Sequence, residues 1–92
     1  MTQQAIISIK GRVQGIFFRA EAKDMARKLG LTGWVRNEAD GNVTACVQGP
    51  KDLLQKFIKW ARQGPPGAKV ERMDFHYVEN PAETFQSFEI RH

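Results

Sequence analysis

An α+β sandwich, with two helices on one face of a mostly antiparallel sheet, is the fold class this sequence predicts, and three observations carry it. Two segments, opening near Phe18 and Pro50, repeat apolar residues at helical spacing. Each lies between short stretches that are rich in β-branched residues or alternate apolar with polar. The Asp40-Gly41 pair joins two of those stretches as a hairpin. The resulting order is β-α-β-β-α-β with one closing strand, the ferredoxin-like split βαβ arrangement.

Ala5 to Lys10 reads as the first strand, ended by Gly11-Arg12-Val13-Gln14-Gly15, whose two glycines punctuate a loop. From Phe18, apolar residues at 18, 22, 25, 26 and 29 form a helical stripe while Glu21, Lys23, Asp24, Arg27 and Lys28 turn mostly to water. Gly30 stops this helix, and Arg27 and Lys28 suit its negative end. Thr32–Asn37 and Asn42–Val47 are the hairpin strands, with Glu38 to Gly41 between them. Pro50 fits a first helical turn, and Leu53, Leu54, Phe57, Ile58 and Ala61 continue the second helix until Gly64-Pro65-Pro66-Gly67 forbids more. Lys69 to Glu79 sets Met73, Phe75 and Tyr77 against Arg72, Asp74 and His76 as a strand. Val70 falls out of phase there, as at a bulge or at the strand's true start. Asn80-Pro81 breaks it, and Phe88 and Ile90, alternating with Ser87, Glu89 and Arg91, form the closing strand.

A chain of 92 residues has room for one domain, expected to cover 1–92, and its length suits a monomer. The formal charge of +4 and a pI near 9.6 point to an anionic partner, phosphate groups first. Cys46 is the only cysteine, which rules out an intrachain disulfide, and with His76 and His92 it does not make a four-ligand zinc shell. No apolar run approaches a membrane span and the N-terminus lacks a leader pattern, so a cytoplasmic protein without a membrane partner is expected.

Folding sequences agree with their local preferences, so violations mark places to look for function. Arg19 opens the first helix, where a cation faces the positive end of the macrodipole. The preceding Gly11 to Phe17 loop would present unpaired N–H groups there, and loop, dipole and guanidinium together have the parts of a phosphoryl cradle. A solvated arginine beside a plain turn is the other reading. Asn37 ends a strand in which asparagine is disfavoured. It either bonds its own backbone beside the turn or holds a water or a substrate oxygen, and strands one and two of a βαβ unit pass close enough to share a site. Glu21, Asp24, Glu38 and Asp40 form no acid/base pair, Cys46 has no histidine at catalytic spacing, and Trp34 and Trp60 read as packing. Lys10 to Phe18 is superficially like the RNP1 strand of RNA-recognition domains, but Arg12 stands where an aromatic is needed and Gly15 would weaken a stacking strand. A small basic nucleic-acid-binding module is the alternative that charge and fold class leave open.

Ile9-Lys10-Gly11-Arg12-Val13-Gln14-Gly15-Ile16-Phe17-Phe18-Arg19 resembles the first signature of the acylphosphatase family. Gly33-Trp34-Val35-Arg36-Asn37-Glu38-Ala39-Asp40-Gly41-Asn42-Val43, with Gly49 after five further residues, resembles the second. The likeness spans essentially the whole chain, including the closing Phe88-Glu89-Ile90-Arg91. It departs at Ile16, where valine is usual, and at Glu38, where many members carry threonine or another small polar residue. A carboxylate there would repel a dianionic substrate. The resemblance implies hydrolysis of the carboxyl–phosphate bond of acyl phosphates to a carboxylate and inorganic phosphate, without metal, cofactor or covalent phosphoenzyme. It implies that Arg19 and the stretch Gly11, Arg12, Val13, Gln14, Gly15, Ile16 and Phe17 bind the phosphoryl group, and that Asn37 orients the attacking water. Arg12 is expected to matter less, with its side chain toward solvent. The partners implied are a small acyl phosphate and inorganic phosphate, with no nucleic acid.

Overall fold

A computed structural model describes residues 3–14 and 17–91 of the chain. The elements are β1 (Gln3–Arg12), α1 (Phe18–Lys28), β2 (Thr32–Asn37), β3 (Val43–Gly49), α2 (Lys51–Gln63), β4 (Lys69–Glu79) and β5 (Phe88–Arg91). They build the ferredoxin-like α+β fold, with sheet order β4-β1-β3-β2-β5. β1 and β2 both pair antiparallel with β3, β4 pairs antiparallel with β1, and β5 is the single parallel addition, beside β2.

The period-2 rule sorts the sheet into two faces. Ala5, Ile7 and Ile9 of β1, Val43, Ala45 and Val47 of β3, Val35 of β2 and Phe88 of β5 point at the helices and are buried. Phe18, Ala22 and Ala26 of α1 and Leu54, Phe57, Ile58 and Ala61 of α2 close over them. Trp60 lies 5.5 Å from the Phe18 ring and 5.7 Å from that of Phe57, so aromatic packing joins the two helices.

α1 ends as its sequence predicts. Leu31 N–H donates to Ala26 C=O and Gly30 N–H to Arg27 C=O, with Gly30 at φ 73°, a Schellman cap. The hairpin turn is held by Glu38 N–H to Asn42 C=O and by Asn42 N–H to the Asp40 carboxylate. β3 therefore starts at Val43, one residue later than expected, because the peptide of Asn42 belongs to the turn. Pro50 stands just outside α2, extended at φ −62°, and its carbonyl accepts the Leu53 and Leu54 N–H groups.

β1 corrects the sequence reading at both ends. It begins at Gln3, and it runs on through Gly11 and Arg12, which pair with Val70 and Lys69 of β4. Lys10 pairs with Arg72 and Gly11 with Val70, so Glu71 is the extra residue of a bulge. A one-residue slip flips the facing of side chains, which is why Val70 reads out of phase yet packs against the core with Met73 and Tyr77. Gly11 has φ 137°, and a Cβ on it would lie 2.1 Å from the Lys69 carbonyl. Its glycine serves close strand approach, not a turn.

On the face away from the helices, the crossover of residues 80–87 is fastened by Gln48, which is buried. Gln48 Nε2 donates to Gln4 Oε1 and to the Glu83 carbonyl, and its Oε1 accepts the Phe85 N–H. Trp34 lies there beneath two guanidinium groups, Arg36 at 4.8 Å and Arg91 at 5.0 Å from its ring.

Candidate active site

Because β1 and β2 both run antiparallel to β3, they run parallel to each other and finish at the same edge of the sheet. Val43 pairs with Ile9 on one side and with Asn37 on the other. The chain leaving β1 therefore passes the end of β2 before it enters α1. Val13, buried in the core, ties this passage down.

Gln14 ties it a second time. Its Nε2 donates to the Glu38 carbonyl at 3.0 Å and to the Asn42 carbonyl at 2.9 Å, so one amide joins the segment before α1 to the turn that follows Asn37. Phe17 then caps α1 without a side-chain hydrogen bond. Its backbone is left-handed at φ 62°, which costs a non-glycine residue about 1 kcal/mol, and its side chain is 81% exposed. The uncapped first turn directs N–H groups and the positive end of the helix dipole outward.

These elements enclose a cleft of about 340 Å³, lined by Val13, Phe17, Phe18, Arg19, Ala20, Asn37 and Ile90. Arg19 and Asn37 thus share one cavity, one at the start of α1 and the other at the end of β2. The Asn37 Oδ1 is buried and has no hydrogen-bond partner among the described residues. Buried polar atoms are nearly always satisfied, so an orphan in a cleft is a position prepared for something else. A cavity with apolar walls, a guanidinium, a helix N-terminus and one unsatisfied amide can bind an oxyanion and hold a polar atom beside it.

The other residues singled out by sequence are placed as follows. Val13 and Phe17 line the cleft. Gln14 is spent on the hairpin carbonyls. Gly11 and Arg12 lie in β1 and line a separate shallow depression with Lys10, Asp40, Gly41, Asn42 and Glu71. Gly15 and Ile16 lie outside the described residues. Glu38 does not line the cleft, and Arg36 Nε meets its Oε1 at 2.5 Å, which offsets the carboxylate's charge. Cys46 is buried beneath the outer face, and burial pushes its thiol up to about 11, Arg91 opposing the shift and Glu83 adding to it. Sequence reasoning missed Phe18, Ala20 and Ile90 as cleft residues, Phe18 having been read only as part of the apolar stripe of the helix. Ile90 arrives only through the parallel β2–β5 pairing, for which no local signal exists.

The acylphosphatase family model matches residues 5–90. An acylphosphatase of Pyrobaculum calidifontis is 50% identical over 88 residues, covering 95% of this chain and 79% of its own. The crystal structure of the Bacillus subtilis acylphosphatase superposes with a TM-score of 0.91 at 36% identity, covering both chains completely. A Coxiella burnetii acylphosphatase structure gives a TM-score of 0.91 at 31% identity over 98% of this chain and 93% of its own. With both signature segments converging on one cleft and likeness along nearly its whole length, the chain belongs to the acylphosphatase family.

Proposed function

We propose that the Arg19–Asn37 cleft hydrolyses the carboxyl–phosphate bond of acyl phosphates, releasing a carboxylate and inorganic phosphate, with water as the nucleophile. The observation that carries this assignment is the buried Asn37 Oδ1, without a hydrogen-bond partner among the described residues, in the same cavity as Arg19. Arg19 binds the phosphoryl oxygens, together with the α1 dipole and main-chain N–H groups between Gly11 and Phe17, Gly15 and Ile16 included. Asn37 accepts a hydrogen bond from the attacking water and holds it in line with the leaving oxygen.

The chemistry asks for little else. The leaving group is the conjugate base of an acid of pKa roughly 4, so it departs without a strong general acid. Phosphoryl transfer concentrates its demand on positioning and on charge at the equatorial oxygens. A phosphoryl oxygen takes the water's proton, so no metal, cofactor or covalent phosphoenzyme enters the scheme. Gly11 and Arg12 set the entry of the cradle from β1, with Arg12 secondary to Arg19. The enzyme acts as a cytoplasmic monomer on a small molecule, with no nucleic acid or membrane partner. No helix among the described residues is long and apolar enough to cross a membrane.

The test is hydrolysis of benzoyl phosphate in EDTA, followed by loss of substrate absorbance. Asn37→Ala should cut kcat by about two orders of magnitude while inorganic phosphate still inhibits, and Arg19→Gln should lose both turnover and phosphate inhibition. Loss of phosphate affinity with kcat intact in Asn37→Ala would remove the water-holding role. A folded protein that turns over nothing would remove the assignment.

A further inference from the structure

We infer that the apolar wall of the cleft is an acyl-group subsite, and that the protein prefers acyl phosphates with an aromatic or bulky apolar acyl group over acetyl-sized ones. The inference rests on the proposed reading of the Arg19–Asn37 cleft. It starts from Phe17, whose side chain is 81% exposed although its residue is one of the largest apolar types in the chain. Phe75, the other exposed large apolar residue, is 39% exposed and packs edge-on against Tyr77, 5.7 Å away. Phe17 has no ring partner among the described residues. It contributes no side-chain cap to α1, and it sits in a left-handed conformation that glycine or asparagine would adopt more readily.

A largely exposed phenyl group with no ring partner among the described residues therefore stands at the rim of the cavity, lining the same cleft as Arg19 and Asn37. Its neighbours in that lining complete an apolar surface. Ala20 follows one residue beyond Arg19 in the first turn of α1, Ile90 comes from β5, and Val13 and Phe18 form the buried floor. Among the described residues that line it, only Arg19 and Asn37 are polar. The cavity of about 340 Å³ lies at the lower end of the roughly 300–1,000 Å³ usual for small-molecule sites and is larger than a phosphoryl group needs. With the phosphoryl group at Arg19, an acyl phosphate, a mixed carboxylic–phosphoric anhydride, continues from the leaving oxygen into its acyl group. An apolar acyl group placed along Phe17, Ala20 and Ile90 removes exposed apolar surface from water on both partners. An acetyl group reaches too little of that wall to gain from it.

The test compares kcat/KM for benzoyl phosphate with kcat/KM for acetyl phosphate, in the wild-type protein and in Phe17→Ala and Phe17→Leu. Taking the ratio within each protein and then comparing proteins removes the difference in intrinsic reactivity of the two substrates. Phe17→Ala should lower the benzoyl-to-acetyl ratio about tenfold, mostly through KM for benzoyl phosphate, the size of discrimination one apolar contact supports. Phe17→Leu, apolar but smaller, should restore most of the ratio. A ratio unchanged in Phe17→Ala, or an equal loss on both substrates in both variants, would overturn the subsite and leave the phosphatase assignment standing. A folded wild-type protein that hydrolyses neither substrate would overturn the assignment and the subsite with it.

Discussion

Gln14 offers a stability and an activity prediction from one side chain. Its amide makes two hydrogen bonds, to the Glu38 and Asn42 carbonyls, and each is partly buried. Both carbonyls keep a second partner within the turn, since Gly41 N–H donates to Glu38 and Glu38 N–H to Asn42. Removing the amide therefore strands no acceptor completely, and the loss sits near the lower end of about 0.5–1.5 kcal/mol per bond, or about 1–2 kcal/mol in total. In a domain of this size that lowers Tm by roughly 5–10 °C. Activity should fall further than stability suggests, because Gln14 is the link between the segment leading into α1 and the turn next to Asn37. A displacement of about 1 Å between catalytic groups costs up to about a hundredfold in rate. Gln14→Ala is expected to lower kcat for benzoyl phosphate by tenfold or more at a temperature where the variant is fully folded. Gln14→Glu keeps the volume but presents a carboxylate to two carbonyls, so it should be no better. Urea unfolding followed by tryptophan fluorescence, with kinetics on the same samples, decides the matter. A Gln14→Ala protein with an unchanged urea midpoint and an unchanged kcat would refute the linkage.

Gly33→Ala should be among the most damaging single changes: its Cβ would lie 1.9 Å from the Cys46 carbonyl at φ 134°, and a loss above about 3 kcal/mol, or insoluble expression, is expected. Gly67→Ala, at φ 89° with open space around it, should cost only about 1 kcal/mol of backbone strain, and urea midpoints of the two variants test the contrast. Cys46 should resist thiol reagents in the native protein at pH 8 and react at once in denaturant. Burial holds its folded pKa at about 11, above the ordinary thiol value, so the neutral thiol's contribution is complete below that ordinary value and is lost as pH rises toward 11. Cys46→Ala should flatten the alkaline limb of stability against pH, read from urea midpoints between about pH 8 and 11. Gln48→Leu leaves the Glu83 carbonyl and the Phe85 N–H without their side-chain partner, and should cost about 2–4 kcal/mol. Amide exchange should accelerate through residues 83–91 before the rest of the sheet.

Element order was legible because each boundary carries its own local chemistry. Gly30 ends α1 through a cap that needs only neighbouring peptides, and Asp40 and Gly41 close a turn by bonds within five residues. Where the cause of a feature is remote, local reading assigns the wrong cause. Gly11 looks like turn punctuation, yet it is glycine because the Lys69 carbonyl passes too close for a Cβ, and nothing within ten residues says so. Val70 carried the same information in another form, since a break in alternation is the local trace of a bulge opposite Gly11. Gln14 has no trace at all: an amide in a polar stretch looks the same whether it meets water or two carbonyls across the sheet.

The site was legible to the extent that it violates local preference. A cation at a helix N-terminus and an asparagine ending a strand are each unfavourable where they stand, and such residues need a compensating partner that the isolated segment does not contain. What local reasoning lacked was the reason they meet. That reason is β3, which pairs with β1 and β2 at once and brings Ile9 and Asn37 to opposite sides of Val43. Once that register holds, the segment tied down by Val13 and Gln14 carries Arg19 to the same cleft as Asn37. The apolar side of the cleft follows from a different long-range contact, because Ile90 is delivered by β5 after the crossover that Gln48 fastens. The two ends of the cavity therefore have separate structural supports. Loosening the crossover should disturb recognition of the acyl group before it disturbs phosphate binding, whereas loosening the Gln14 link should do the reverse.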